Sequence, residues 1–192
     1  MKDLKIVVAE DETLVAMSII TQLKELEYQV IGDAVDGIEV LELCEKLQPD
    51  IVIMDINMPR LSGIEAAGVI KEKWQIPVII VSGYSDEKLI KEAADAGVFS
   101  YLIKPVTKQN LAPAIEIALK NHTDFSSAKE DNVKLRKMLE ERKLIERAKG
   151  ILMEKNHLSE ADAMKKLQKL SNTRNVKIVD IAKEIINVSE LF

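Results

Sequence analysis

The strongest constraint on this chain is an alternation over its first 122 residues, where short apolar, β-branched runs are separated by longer stretches with helical spacing. Five runs have strand character: LKIVVA (4–9), YQVIGDA (28–34), DIVIMD (50–55), PVIIVS (77–82) and SYLIK (100–104). Between and after them, Thr13–Glu27, Gly37–Leu47, Ile64–Trp74, Glu87–Ala96 and Lys108–Lys120 carry apolar residues three and four apart. Such alternation winds into a parallel sheet, because each parallel crossover needs a helix, which then covers a face of the sheet. The expected fold class is α/β, a doubly wound five-stranded parallel sheet. DIVIMD and PVIIVS lack polar alternation, so they are expected at the centre, covered on both sides. Gly97 is expected to stop the fourth helix.

The pattern changes after residue 122. NHTDFSSAKEDN reads as a polar linker over the start of 123–143, passing into a helix at KLRKMLEERK. Ala128, Asn132, Leu135 and Leu139 have the spacing of a short two-helix coiled coil, with Asn132 as a polar residue able to fix register. From 144 to 192 three helices are expected, LIERAKGILMEK, EADAMKKLQKLS and IVDIAKEIINVSEL, forming a small all-α domain. Ser159 and Asp162 make an S-x-x-D start for the second, with Leu158 as its hydrophobic staple. SNTRN (171–175) is expected to turn the chain between the second and third. Such a short segment builds only a small core, so support from the preceding helix or a second copy is expected.

Charge follows the same division. Residues 1–122 hold 12 Lys and Arg against 20 Asp and Glu, whereas 123–192 hold 15 against 12. An acidic first part and a basic tail suit a regulatory domain joined to a nucleic-acid-binding output. The lone cysteine, Cys44, sits in the apolar-periodic run IEVLELCEKL and is expected to be a buried thiol, which leaves no disulfide framework. No apolar run approaches the ~20 residues that span a bilayer, and a cytoplasmic protein without a membrane partner is expected.

In a doubly wound sheet, ligands bind beyond the carboxyl ends of the strands. Glu10 and Asp11 follow the first strand here, Asp55 ends the third, Ser82 ends the fourth, and Lys104 precedes Pro105 after the fifth. Three carboxylates converging in one crevice repel one another unless a cation joins them. Magnesium, which takes hard oxygen ligands, fits such a set.

The acidic EDE (10–12), the stretch IVIMDINMPRLSG with Pro59 and Gly63 four and eight residues after Asp55, and the end AGVFSYLIKP together resemble the receiver domains of two-component response regulators, over residues 1–122. The resemblance implies that Asp55 is the phosphoacceptor nucleophile. It implies that Mg2+ is held by Asp11, Asp55 and the backbone carbonyl of Asn57, with Glu10 binding directly or through water. Lys104 would pair with the phosphoryl oxygens and Ser82 would hydrogen-bond the group once formed. Tyr101 would then swing inward, completing a packing switch with Ser82. A sensor histidine kinase is the implied phosphoryl source. A magnesium-dependent phosphatase of related chemistry is disfavoured by the order of the motifs and the lack of a lid insertion, so the chain is expected to be a switch, not an enzyme.

From about residue 135, the stretch LIERAKGILMEKNHLSEADAMKKLQKLSNTRNVKIVDIAKEII resembles the ANTAR domain, an RNA-binding module of transcription antiterminators. The resemblance rests on Ala148, Gly150, Leu152, Met153, Ala161, Leu167, Ser171, Asn175 and Ala182. It implies binding of tandem hairpins in leader RNA, antitermination, and a dimer favoured by phosphorylation. Candidate RNA contacts are Arg147, Lys149, Gly150, Lys155, Arg174 and Asn175. Glycine inside a helix costs about 1 kcal/mol relative to alanine, so Gly150 is expected to allow close approach of another helix or of nucleic acid. Met153 is expected mainly in the core. Aromatic residues are absent between Phe125 and Phe192, so arginine stacking and hydrogen bonds must replace an aromatic platform. A DNA-binding helix-turn-helix is the main alternative output, and a protein-binding helical module is the next. The apolar and acidic third helix is a poor recognition helix.

Overall fold

A computed structural model describes residues 3–83 and 87–190. Five strands and seven helices follow in the order β1 (Lys5–Ala9), α1 (Thr13–Glu25), β2 (Gln29–Ala34), α2 (Gly37–Leu47), β3 (Ile51–Asp55), α3 (Gly63–Lys73), β4 (Val78–Ser82), α4 (Glu87–Ala96), β5 (Ser100–Ile103), α5 (Lys108–Asn156), α6 (Glu160–Arg174) and α7 (Ile178–Glu190). The sheet has the order β2-β1-β3-β4-β5, and every pairing is parallel. Leu191, expected in the last helix, lies outside the described residues.

Strand alternation divides the apolar side chains between two cores. Ile6, Val8, Ile51, Ile53, Ile79 and Val81 face one side and pack with Ile19 and Leu23 of α1 and Leu111 and Ile115 of α5. Val7, Val52, Met54 and Ile80 face the other and pack with Val40 and Cys44 of α2 and Ala66 and Ile70 of α3. Every residue of β3 and β4 is buried, as expected for covered central strands. Gly97 has φ +86° directly after α4, a backbone state that other residues adopt with strain.

The chain divides into two compact units, residues 1–126 and 127–192. In the second unit Ala148 and Leu152 of α5, Ala163 and Leu167 of α6, and Ile181, Ala182 and Ile186 of α7 form the buried core, with Leu158 packed against it. Ser159 caps α6 by accepting a hydrogen bond from the Asp162 amide at 3.2 Å.

Three local expectations are corrected. The fifth helix does not end at Lys120, and NHTDFSSAKEDN is not an irregular linker, because α5 continues to Asn156. No glycine or proline interrupts residues 114–149. The polar side chains there also bond along the helix: Thr123 Oγ1 to the Leu119 carbonyl (2.9 Å), Asn132 Nδ2 to the Ala128 carbonyl (3.0 Å), and Lys143 Nζ to Glu140 (2.9 Å). Ion pairs such as Lys143–Glu140 contribute about 0.2–0.5 kcal/mol each and add up over a long helix. Second, Ser171–Arg174 are helical, and only Asn175, left-handed at φ 53°, closes α6. The Ser171 hydroxyl donates to the Val176 carbonyl (2.6 Å), so it serves the turn from inside the helix. Third, Met153 is 36% exposed and lies outside the buried core, to which α5 contributes Ala148 and Leu152 instead.

Cys44 is fully buried, and desolvation pushes its thiol up to about 12. The thiolate is the reactive form, so the folded chain should resist a thiol reagent at about pH 8 and label completely once unfolded in denaturant. Comparing the two labelling rates checks this. Rapid labelling of the folded chain would mean that α2 lifts readily from the sheet.

Candidate functional site

The carboxyl edge of the sheet gathers side chains separated by nearly a hundred residues. β1 leads into Glu10 and Asp11, and β3 ends on Asp55 beside it. Glu10 is 1% and Asp55 5% exposed, while Asp11 is open to solvent. One carboxylate oxygen from each of the three lies within 4.8 Å of the others. Lys104 reaches across from the end of β5, with its ammonium 3.0 Å from Glu10 Oε1, 2.8 Å from Glu10 Oε2 and 3.3 Å from Asp55 Oδ1. The backbone holds it there, since the Lys104 amide donates to the Ser82 carbonyl at 2.8 Å.

Protonation follows this geometry. Burial pushes the Glu10 carboxyl above its usual range, against the pull of Lys104 and with a push from Asp55. Asp55 is likewise raised by burial, opposed by Lys104 and by the Asn57 and Ile56 amides. Burial acts to lower the Lys104 ammonium, but the hydrogen bond to Glu10 and both carboxylates outweigh it and hold the lysine above its ordinary value. One cation therefore faces three anionic groups. Glu10 Oε2 is buried, with the Lys104 ammonium 2.8 Å away offsetting its charge. Hard oxygens and excess negative charge suit a divalent cation.

The other candidates fall into place around this cluster. Ser82 is completely buried at the end of β4, and Tyr101 is partly buried on β5, opposite Ile80. Asn57 is exposed, and its amide donates to Asp55 Oδ2 at 3.1 Å, fastening the loop after β3 to the carboxylate. Gly63 begins α3 beneath that loop. A Cβ there would sit 2.0 Å from the Asp55 carbonyl oxygen, so only glycine permits the approach.

Sequence reasoning missed the fastening of this loop by Asp36. Its buried carboxylate caps α2 through the Ile38 and Glu39 amides (2.9 and 3.0 Å) and also receives Arg60 Nε at 2.6 Å. Burial would raise the Asp36 carboxyl, but these bonds prevail and hold it below the usual range. The D-G-I-E start was legible as a cap. The partner, 24 residues on and at φ 63°, was not.

In the second unit, the RNA candidates separate into distinct places. Arg147 and Gly150 share an exposed face of α5, and nothing lies within 4 Å of a Cβ built on Gly150. The expected close approach of another helix is thus absent among the described residues. Lys149 differs from the others. Its ammonium is buried between Glu160 (2.7 Å) and Glu146 (2.9 Å), which raise its pKa, the Glu160 bond first. Lys155 and Arg174 meet on one groove, where Arg174 Nη1 is 2.6 Å from Glu184, and Asn175 caps α6 next to Arg174.

Comparison with known proteins bears on both units. Residues 6–116 match the model of the response regulator receiver domain, and 133–186 match that of the ANTAR domain. The transcriptional regulatory protein PdtaR of Mycobacterium tuberculosis is 38% identical over 182 residues, covering 95% of this chain and 89% of that protein. The transcriptional regulatory protein YdfI of Bacillus subtilis is 31% identical over 120 residues, 62% of this chain and 56% of the relative. Among solved structures, the receiver domain of a modulated diguanylate cyclase from Desulfovibrio desulfuricans aligns with a TM-score of 0.59 at 31% identity. It spans 63% of this chain and 98% of its own. The response regulator domain of Thermotoga maritima CheB aligns at a TM-score of 0.56 and 29% identity, over 64% and 97%.

Two outcomes test the geometry. Gly63→Ala should destabilise the first unit by about 1–3 kcal/mol, the usual cost of overpacking, read as a lower denaturation midpoint. An unchanged midpoint would mean that the loop yields freely. Asp36→Asn should lower stability at neutral pH. Because the folded-state carboxyl is depressed, the stabilisation is present above the ordinary aspartate range and lost as pH falls through the folded value. The gap between the two proteins should therefore narrow in acid, as followed by thermal melts across pH.

Proposed function

We propose, on the premise that this chain belongs to the response regulators that join a receiver domain to an ANTAR domain, that phosphorylation of Asp55 controls binding of hairpin RNA by the second unit. The observation that carries the reading is the cluster of Glu10, Asp11, Asp55 and Lys104 at the carboxyl edge of the sheet. Asp55 is the proposed nucleophile toward a histidine kinase or small phosphodonor. Its Oδ1 contacts Lys104, and its Oδ2 is oriented by the Asn57 amide. Magnesium, held by Glu10, Asp11, Asp55 and the Asn57 carbonyl, would supply positive charge for the transferring phosphoryl oxygens. Lys104 is proposed to exchange its carboxylate partners for the phosphoryl group. Ser82 would donate a hydrogen bond to that group, and Tyr101 would repack as the Ser82 hydroxyl moves.

For the output, the same family membership supports binding of tandem hairpins in leader transcripts and relief of transcription termination. Arg147, Gly150, Lys155, Arg174 and Asn175 are the proposed contacts. Lys149 is proposed to act indirectly, by joining α6 to α5 through Glu160. A DNA-reading role suits the unit poorly, because Val179, Ile181, Ala182 and Ile186 of α7 are spent on the core, and Asp180 and Glu184 add negative charge.

Dimerisation is proposed to run along α5. Leu135 and Leu139 are more than half exposed and stand in heptad spacing with Ala128 and Asn132. In a parallel pair of copies, Asp124 would face Lys129 and Asp131 would face Arg136, whereas an antiparallel pair would oppose like charges. The proposed switch shifts this equilibrium toward the dimer, matching two output units to two hairpins.

Gel-shift titrations with a tandem-hairpin leader RNA and with duplex DNA, in magnesium, test the reading. Treatment with a small phosphodonor should strengthen RNA binding by about tenfold, within the usual span of allosteric coupling, and Asp55→Ala should not respond. Preference for duplex DNA would overturn the RNA assignment while leaving the receiver intact.

A further inference from the structure

The groove that joins Lys155 to Arg174 in the second unit sets these two proposed RNA contacts beside apolar side chains and an acid that the proposed contacts leave unexplained. Ile151 and Lys155 come from the end of α5, Arg174 from the end of α6, and Glu184, Ile185 and Val188 from α7. Ile151 and Ile185 are partly buried, and Val188 is 56% exposed, so an apolar floor stands open. Two cationic side chains border it. The guanidinium of Arg174 is held at its edge by Glu184, both groups being mostly exposed. Sequence separation hid this meeting.

We infer that this groove is a subsite for one unstacked nucleotide of an RNA hairpin loop, and that Glu184 occupies Arg174 until a phosphate replaces it. The inference rests on the RNA reading of the second unit and names a ligand class and a competitor within it. An unstacked base has an apolar face that needs cover, and its flanking phosphates need cations. The floor offers branched aliphatic side chains where the described residues of the unit include no Phe, Tyr or Trp. The planar guanidinium can stack on the base or bind phosphate with two parallel donors. Glu184 presents to Arg174 the same two-oxygen acceptor that a phosphate does. The exposed pair is weak and screened, so an RNA phosphate, held in addition by Lys155 and by the contacts of the rest of the hairpin, can displace it. A protein ligand would use the same apolar floor, but the paired cations at the border favour a polyanion.

The test compares full-length variants, treated with phosphodonor, for binding to a single hairpin carrying 2-aminopurine in its loop. Glu184→Gln should raise affinity about threefold or more. Glu130→Gln, which removes another exposed carboxylate, on α5 far along the chain, should leave affinity unchanged. Arg174→Ala should weaken binding about tenfold and reduce the salt dependence by roughly one phosphate contact. Val188→Ser, at an exposed position where folding is not at stake, should diminish the 2-aminopurine signal change while leaving the salt dependence intact. If the hairpin binds but the Glu184, Arg174 and Val188 variants behave like Glu130→Gln, the subsite is wrong and the RNA reading stands. If no form binds RNA, both fail.

Discussion

Charge balance at the carboxyl edge of the sheet is the constraint on which the rest of the first unit depends. Like charges about 4–5 Å apart repel by roughly 3–4 kcal/mol at an effective dielectric of about 20. Glu10, Asp11 and Asp55 are brought within that range. Lys104 alone among the described side chains bridges two of these carboxylates, and it does so because β5 ends beside β4 and its amide is bound to Ser82. The parallel order of the strands does the assembling. Each contributes its last residues to one edge, so residues from four distant parts of the chain share a small volume. The result is a cluster with more acid than base, able to accept another cation and responsive to a change of charge on Asp55.

Around that cluster the loop after β3 is held from three sides. The Asn57 amide bonds the Asp55 carboxylate, Gly63 allows α3 to begin against the Asp55 carbonyl, and Asp36 takes Arg60 from the loop while it caps α2. Each tie answers a different demand: orientation of the Asp55 carboxylate, room for the helix start, and satisfaction of a buried carboxylate. A loop so fixed needs little reorganisation when a ligand arrives, which is how positioning favours group transfer.

Helix α5 carries the chain from one unit into the other. Its first turns complete a sheet core with Leu111 and Ile115, and its last turns supply Ala148 and Leu152 to a separate helical core. Between them it has no core to join, which accounts for the exposed Leu135 and Leu139 and for the many ion pairs along its surface. Local propensity therefore sets helix continuity in the middle, while tertiary packing sets it at both ends.

By itself the sequence determined the five strands, the order of the elements and the sheet class, because strand and helix periods are local signals written in consecutive residues. It also identified Glu10, Asp11, Asp55 and Lys104 as residues at strand ends, where the parallel topology had to collect them. It misjudged the polar run after Asn121, since polar composition resembles a linker when no buried face marks the helix, although nothing there breaks one. The tertiary structure alone decided which charges are already committed. Lys149 is buried against Glu146 and Glu160, Arg174 is paired with Glu184, and Asp36 is joined to Arg60. Those partners lie on separate elements or loops, or depend on which face of a helix turns inward. Distance in space, not spacing in the chain, governs such electrostatic contacts, and only packing fixes it.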